Sequence, residues 1–228
     1  MSYQDARPSP ARRSNVLVRC YARRMSVVPT RQRMIETAVR MFQRGGYHAT
    51  SWRALVEAAG TPWGSAHHHF PGGKEQLGVA AVDMAAEVVA MRIQKGFAQF
   101  KSPHDGVRAF CQAEAASLEA SEFHEGCPVA TIALETAPGS VSITDACNRA
   151  FDRWRSLMAE HLVQVGVTRK RAAELSTIIL ATFEGAMLVS RVSRTTAPLL
   201  IACEQLASLL EAEVPKAAGK RTTPAARA

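Results

Sequence analysis

Apolar residues recur every three to four positions from residue 30 to residue 214, and alternation with a period of two is almost absent. A period near 3.6 is typical of an amphipathic helix, whereas a half-buried strand alternates at every second position. The sequence therefore predicts an all-α protein. The predicted helices run over about 30–45, 51–59, 62–70, 74–100, 105–121, 128–136, 142–165, 168–194 and 198–214.

The second and third predicted helices are short and separated by a tight turn. The first of the two has Thr50 or Ser51 as its N-cap, and Gly60 then permits a left-handed turn. The next opens with Pro62, which suits a first helical turn because it lacks an N–H, and the break at 71–73 ends it. A helix, a short glycine-containing turn and a second helix form the DNA-binding helix-turn-helix, whose second helix enters the major groove.

Charge is concentrated at the two ends of the chain. The formal net charge is +8, of which residues 1–33 carry +7 and residues 215–228 carry +4, so that the middle carries −3. Basic ends of this kind either supplement nucleic-acid binding or keep the protein soluble. We predict a disordered basic arm over 1–28, a helix-turn-helix domain over 29–76, a larger helical domain over 77–214 and a disordered basic tail over 215–228.

The last two predicted helices, 168–194 and 198–214, carry apolar faces wider than one packing contact needs. Such helices can pair with their copies in a second subunit as a four-helix bundle. Burial within a single subunit is the alternative explanation. The pattern therefore predicts a homodimer formed through the last two helices.

Cysteine usage and hydropathy indicate a soluble protein of a reducing cytoplasm, with no membrane partner. The five cysteines are odd in number and lack a CxxC spacing, so neither a disulfide framework nor a zinc ribbon is expected. No continuous run approaches the roughly 20 apolar residues of a membrane helix, and no secretory signal follows the early arginines. Residues 1–28 are also compatible with an organelle transit peptide or with a start at Met25.

Three groups of residues invite a metal or catalytic hypothesis. Consecutive helical residues point about 100° apart, so His67, His68 and His69 do not close on one ion, and neither a metal nor a cofactor is predicted. His124 and Cys127, or His161, could act as acid-base or nucleophilic groups in a small all-α enzyme with an apolar substrate. No third orienting group or oxyanion motif accompanies them. An enzyme therefore remains the alternative, and no catalytic residue is predicted.

Several fixed-spacing motifs identify a family. The block TSWRALVEAAG at 50–60, then Gly64-Ser65, then HHFPGGKEQL at 68–77, resembles the DNA-binding signature of the TetR family almost position for position. The last of these motifs, together with EGCPVA at 125–130 and Leu134-Glu135, is similar to the LmrA/YxaF-like branch. The likeness implies a repressor that binds a palindromic double-stranded operator as a homodimer, with residues 77–214 forming its ligand-binding and dimerisation domain.

The resemblance also implies ten DNA-binding residues. Hydroxyls, amides at a helix N-terminus and an ammonium all suit phosphate oxygens, and base edges need side chains on the exposed face of the second helix. Thr50, Ser51 and Arg53 would lie against the backbone, Thr61, Pro62, Trp63 and Ser65 would face the major groove, and His67, His68 and Lys74 would hold phosphates.

Two of these residues depart from the family pattern. Trp63 stands where the family often has lysine or arginine, and His67 where it usually has tyrosine. Trp63 could contact thymine methyls or sugars, or it could pack against its own domain. The His67 imidazole keeps a hydrogen-bond donor, but the side chain is shorter than that of the tyrosine it replaces.

Aromatic, methionine and cysteine side chains in the larger domain are candidates for an effector pocket. Each of these side chains, considered alone, could equally belong to an ordinary hydrophobic core. The family resemblance favours the alternative, a pocket for a small apolar or aromatic molecule. The candidates are Met91, Phe110, Phe123, Cys127, Phe151, Trp154, Met158, Phe183 and Met187.

Overall fold

The computed structural model describes residues 28–100, 102–137 and 139–215, and over these ranges the chain forms nine α-helices and no strand. Each helix agrees with a predicted segment to within two residues, which confirms the all-α prediction. The predicted basic arm and tail lie outside the described residues except for Val28 and Pro215. The helices are α1 (Thr30–Gly45), α2 (Trp52–Ala58), α3 (Trp63–His69), α4 (Gly73–Gln99), α5 (Pro103–Ala120), α6 (Pro128–Thr136), α7 (Val141–Gln164), α8 (Arg169–Ser193) and α9 (Ala197–Glu213).

Helices α1 to α3 form the predicted helix-turn-helix. The buried face of α1 includes Phe42, which is fully buried and shares the core with Leu55 of α2 and Phe70 at the end of α3. The Ser51 hydroxyl caps α2 by accepting from the Ala54 N–H at 3.1 Å. Gly60 has a φ of +57°, the left-handed conformation that the turn between α2 and α3 requires.

Helix α4 spans 27 residues and belongs to both parts of the molecule. Its first turn follows α3 directly, and its middle section buries small residues such as Ala85 and Ala90. Small side chains let α7 approach closely, and the indole Nε1 of Trp154 donates to the backbone oxygen of Ala86 at 3.0 Å. Helix α4 therefore packs against α7 in the larger part of the protein and continues into the helix-turn-helix at its other end.

A disulfide joins Cys111 of α5 to Cys203 of α9. The sequence indicated no disulfide framework and did not predict this single bond, and Cys127 and Cys147 are free. The two Cα atoms are 6.3 Å apart. Because the two cysteines are separated by 92 residues in sequence, no spacing motif predicts the bond. It arises because α5 packs against α9 with both cysteines on the buried faces.

Among the described residues, α8 is the one helix long and apolar enough to cross a membrane by length and composition alone. Within the most apolar 18-residue stretch of α8, only 28% is buried inside the chain. Length and composition do not separate a membrane helix from one that packs against another subunit. Helix α8 leaves large apolar side chains exposed, among them Leu188, Val189 and Val192.

Candidate nucleic-acid interface and buried cavity

Helix α3 presents most of its predicted DNA-contacting side chains to the outside. Pro62, His67 and His68 are exposed, Ser65 is half-buried, and Trp63 is 51% exposed. The Trp63 ring packs edge to face with the His67 ring, with centroids 5.6 Å apart. The His67 ring also contacts the Trp52 ring, with centroids 5.7 Å apart. Trp63 is thus supported by its own domain while half of its surface remains available.

Two of the predicted DNA-binding side chains are turned inward. Thr50 is buried and its hydroxyl donates to the backbone oxygen of Gly46 at 2.7 Å. Thr61 is buried as well, and its hydroxyl donates to the backbone oxygen of Ala59 at 3.4 Å. Both hydroxyls stabilise turns in this structure, so the outward-facing candidate surface consists of the other eight residues.

The cationic candidates lie at the ends of α2 and α4. Arg53 is exposed and pairs with Glu57 at 2.9 Å, and an exposed ion pair of this kind is weak enough to exchange for a phosphate. Lys74, in the first turn of α4, is half-buried with its Nζ 4.1 Å from the centroid of the Tyr47 ring. Burial lowers the pKa of Lys74, and the nearby Glu135 carboxylate opposes that shift.

The larger part of the protein contains a buried cavity of about 200 Å³. It lies between α4, α5, α7 and α8, and residues of α1, α6 and α9 complete its wall. Six of the nine predicted pocket residues line it, namely Phe110, Cys127, Trp154, Met158, Phe183 and Met187.

The other three predicted pocket residues lie elsewhere. Met91 is 58% exposed on α4, and Phe123 packs against the hydrophobic core but is not part of the cavity wall. Phe151 lines a second, more open depression of about 710 Å³. The two hollows share part of their walls, including Cys127, Leu180 and Glu184.

The cavity also contains charged groups that sequence reasoning missed. Glu114 of α5 and Glu184 of α8 both line it, and Arg92 of α4 pairs with Glu114 at 2.7 Å. Burial raises the pKa of Glu114 despite this partner, and burial raises the pKa of Glu184 to about 7. A signal was present in the sequence, since Glu114 interrupts the apolar stripe that includes Cys111 and Leu118.

Hydrogen bonds around both ends of α6 join this part of the protein to the helix-turn-helix. At one end of α6, the Gln43 side chain of α1 donates to the backbone oxygen of Gly126 at 2.6 Å. At the other end, the Glu135 carboxylate accepts from the His48 N–H at 2.7 Å. Helix α6 therefore contacts α1 near the cavity and the turn after α1 farther away.

The groups considered for catalysis do not form an activated set. Burial raises the pKa of the Cys127 thiol well above its usual value, whereas a nucleophilic cysteine needs a lowered one. The buried Nε2 of His161 has no hydrogen-bond partner among the described residues, and its ring stacks on Phe97 at 4.2 Å. Within the described ranges, no cluster of His, Cys, Asp and Glu is arranged to hold a metal.

This geometry defines a helix-turn-helix DNA-binding protein with an additional helical domain. The family of bacterial regulatory proteins named after TetR matches residues 34–81, and the C-terminal domain of LmrA/YxaF-like transcriptional regulators matches residues 103–205. The HTH-type transcriptional regulator LmrA of Bacillus subtilis is 35% identical, covering 77% of this chain and 94% of its own length. The chain belongs to the TetR family of transcriptional regulators, which are DNA-binding proteins and not enzymes.

Other relatives agree with this assignment. An uncharacterised HTH-type regulator of Mycobacterium tuberculosis is 34% identical over 82% of this chain and 96% of its own length. A solved TetR regulator from Chloroflexus aurantiacus superposes with a TM-score of 0.69 at 29% identity, over 84% of this chain and 98% of that one. A solved TetR transcriptional regulator from Legionella pneumophila superposes with a TM-score of 0.71 at 22% identity, over 80% of this chain and 98% of that one. This similarity supports the fold.

Proposed function

We propose that this chain is a cytoplasmic homodimeric repressor that leaves a palindromic operator when a small apolar or aromatic molecule occupies the buried cavity. The observation that carries the proposal is the composition of the cavity wall, which includes Val39 and Gln43 of α1. Helix α1 also supplies much of the helix-turn-helix core. A molecule that fills the cavity therefore touches the element that supports α3.

An exposed apolar stripe on α8 and α9 supports the homodimer. Its members recur at helical spacing, and Val192 is 79% and Ile201 65% exposed. Large apolar surfaces that a soluble protein exposes often mark sites of contact with another protein. We call this surface the α8–α9 face, and it consists of Ile178, Leu188, Val189, Val192, Leu200 and Ile201.

A two-fold axis through the α8–α9 face would bury the same surface on both subunits. The two copies of α3 could then enter successive major grooves about one helical turn, or somewhat more, apart. This arrangement explains why α8 is apolar enough to resemble a membrane helix while only part of it is buried within one chain. A second subunit covers the remainder.

Helix α4 offers a route from the cavity to the DNA. It carries Lys74 in its first turn and contributes Met84, Val89 and Phe97 to the cavity wall. A ligand that swings α4 changes the separation of the two α3 helices. Such a ligand must bind the DNA-incompetent state more tightly than the competent one, because equal affinity would shift nothing.

Operator binding is the direct test of this proposal. We expect the purified full chain to bind a labelled duplex from the region upstream of its own gene at low salt and without any ligand, with two chains on each duplex. Fluorescence anisotropy measures the binding, and an excess of unrelated DNA should leave it largely intact. A chain that shows no preference for this duplex over unrelated DNA would contradict the proposal.

Lys74→Ala should weaken binding to every DNA sequence, because an ammonium beside a phosphate carries no sequence information. The slope of log affinity against log salt should fall by about one unit, the contribution of one released counterion. Anisotropy titrations at several salt concentrations measure this slope. Lys95→Ala is the matched control, since Lys95 is an exposed lysine on the same helix that lies far from α3 in sequence.

Trp63→Ala should instead change which sequences are preferred, since Trp63 lies on the proposed base-reading face of α3. Its affinity should fall more for the operator than for unrelated DNA, with the salt slope nearly unchanged. If Lys74→Ala and Trp63→Ala both weaken binding uniformly, the assigned division between phosphate and base contacts is wrong.

A further inference from the structure

The cavity proposed above as the effector site is apolar apart from a few polar groups, and its charges do not balance. Arg92 neutralises Glu114 through their 2.7 Å ion pair. Glu184 has no ion pair with a lysine, arginine or histidine among the described residues, and the Cys127 thiol is a neighbour that lowers its pKa. The cavity therefore contains one carboxyl group more than it has cations.

Aromatic rings line the same cavity as these carboxyl groups. Phe110 and Phe183 pack with ring centroids 5.3 Å apart, and both line the cavity together with Trp154. The faces of aromatic rings carry negative electrostatic potential and attract organic cations, most strongly where water is excluded. Phe183 and Glu184 are consecutive residues of α8, and both line the cavity.

Resting on the proposed effector function of this cavity, we infer that the effector is a small apolar cation, such as an aromatic amine or quaternary ammonium compound. Its charge lies against the Glu184 carboxylate, and its apolar part lies among Phe110, Phe183 and Trp154. A neutral molecule of the same shape fills the cavity but leaves the Glu184 carboxyl without a cation.

The ionisation of Glu184 makes this inference testable by pH. Burial raises the pKa of Glu184 to about 7, the Cys127 hydrogen bond lowers it and the Glu114 carboxylate raises it further. The other charged groups that line the cavity or the adjoining depression are Arg92, Asp152, Arg155 and Arg191. Asp152 pairs with Arg155, and Arg191 donates to the backbone oxygen of His124.

A bound cation favours the ionised form of Glu184 and so lowers its pKa. Affinity for a cation of fixed charge should therefore rise with pH and level off above about 7. Between pH 6 and pH 8 the ionised fraction of a group with a pKa near 7 grows about tenfold, and affinity should grow by the same factor. A neutral ligand gains nothing from this ionisation.

Phenyltrimethylammonium and tert-butylbenzene form a suitable pair of probes, since they share a shape and differ in charge. Phenyltrimethylammonium carries a charge that does not titrate. Calorimetric titration of the full chain should show about tenfold tighter binding of this cation at pH 8 than at pH 6. At pH 8 the cation should also bind about tenfold more tightly than tert-butylbenzene, and at pH 6 this preference should largely vanish.

Glu184→Gln removes the charge with little change in volume and should abolish both the preference and its pH dependence. Glu160→Gln, at an exposed position outside the cavity wall, is the matched control and should retain both. Equal affinity of the wild-type chain for the two probes at pH 8, binding of neither probe, or a preference that survives in Glu184→Gln would overturn the inference.

The outcome is separable from that of the proposed repressor function. If tert-butylbenzene binds as tightly as the cation and releases the operator duplex, the cavity is an effector site and only the cationic assignment fails. If the chain does not prefer its operator, the repressor proposal fails, whereas the charge preference of the cavity is still measured on the protein alone.

Discussion

Val192→Glu should separate the proposed dimer and, with it, abolish tight operator binding. Because a two-fold interface contains the substituted position twice, the dimer would bury two unpaired carboxylates. At a cost of at least about 2 kcal/mol each, dimerisation should weaken by about 1000-fold or more. Sedimentation at micromolar concentration and operator titration by anisotropy measure the two consequences.

Val141→Glu is the matched control for this variant. Val141 is as exposed as Val192, at 79%, but it begins α7 and lies outside the α8–α9 face. Both substitutions place a carboxylate on the surface of the monomer, where the effect on folding should stay within about 0.5 kcal/mol. A Val192→Glu chain that sediments and binds the operator like Val141→Glu would refute the proposed interface.

Trp154→Ala should lower the free energy of unfolding by about 3–5 kcal/mol, the usual range for removing a large buried aromatic side chain. Trp154 is 1% exposed, lines the cavity and donates to the Ala86 backbone oxygen, so its loss enlarges an existing void and removes a buried hydrogen bond between α7 and α4. Denaturant unfolding followed by circular dichroism, at fixed protein concentration, measures the change.

Trp63→Ala offers the same chemical change at a half-exposed site. Trp63 contacts His67 on the outside of α3, so its truncation should cost less than about 1 kcal/mol. Similar losses of stability in the two variants would show that Trp154 is not a principal element of the packing between α4 and α7. The same pair separates stability from recognition, since only Trp63 is proposed to contact DNA.

The local parts of this protein were predictable because their signals are local. Helical periodicity gave nine segments to within two residues, and the Ser51 cap and the Gly60 turn depend on neighbours a few positions away. The helix-turn-helix follows from these short-range interactions and from the family motif. Six of the nine pocket candidates, which the family resemblance favoured, line one cavity, because aromatic and other apolar residues on inward helix faces tend to meet.

The sequence by itself determined the helices, the helix-turn-helix and the family, whereas tertiary packing decided which side chains face one another. Thr50 and Thr61 turned inward because backbone oxygens were in reach of their hydroxyls, and Cys111 met Cys203 because α5 packs on α9. Glu114 and Glu184 share a cavity for the same reason. Contacts between distant segments depend on how whole helices pack, and no single stretch of sequence contains that information.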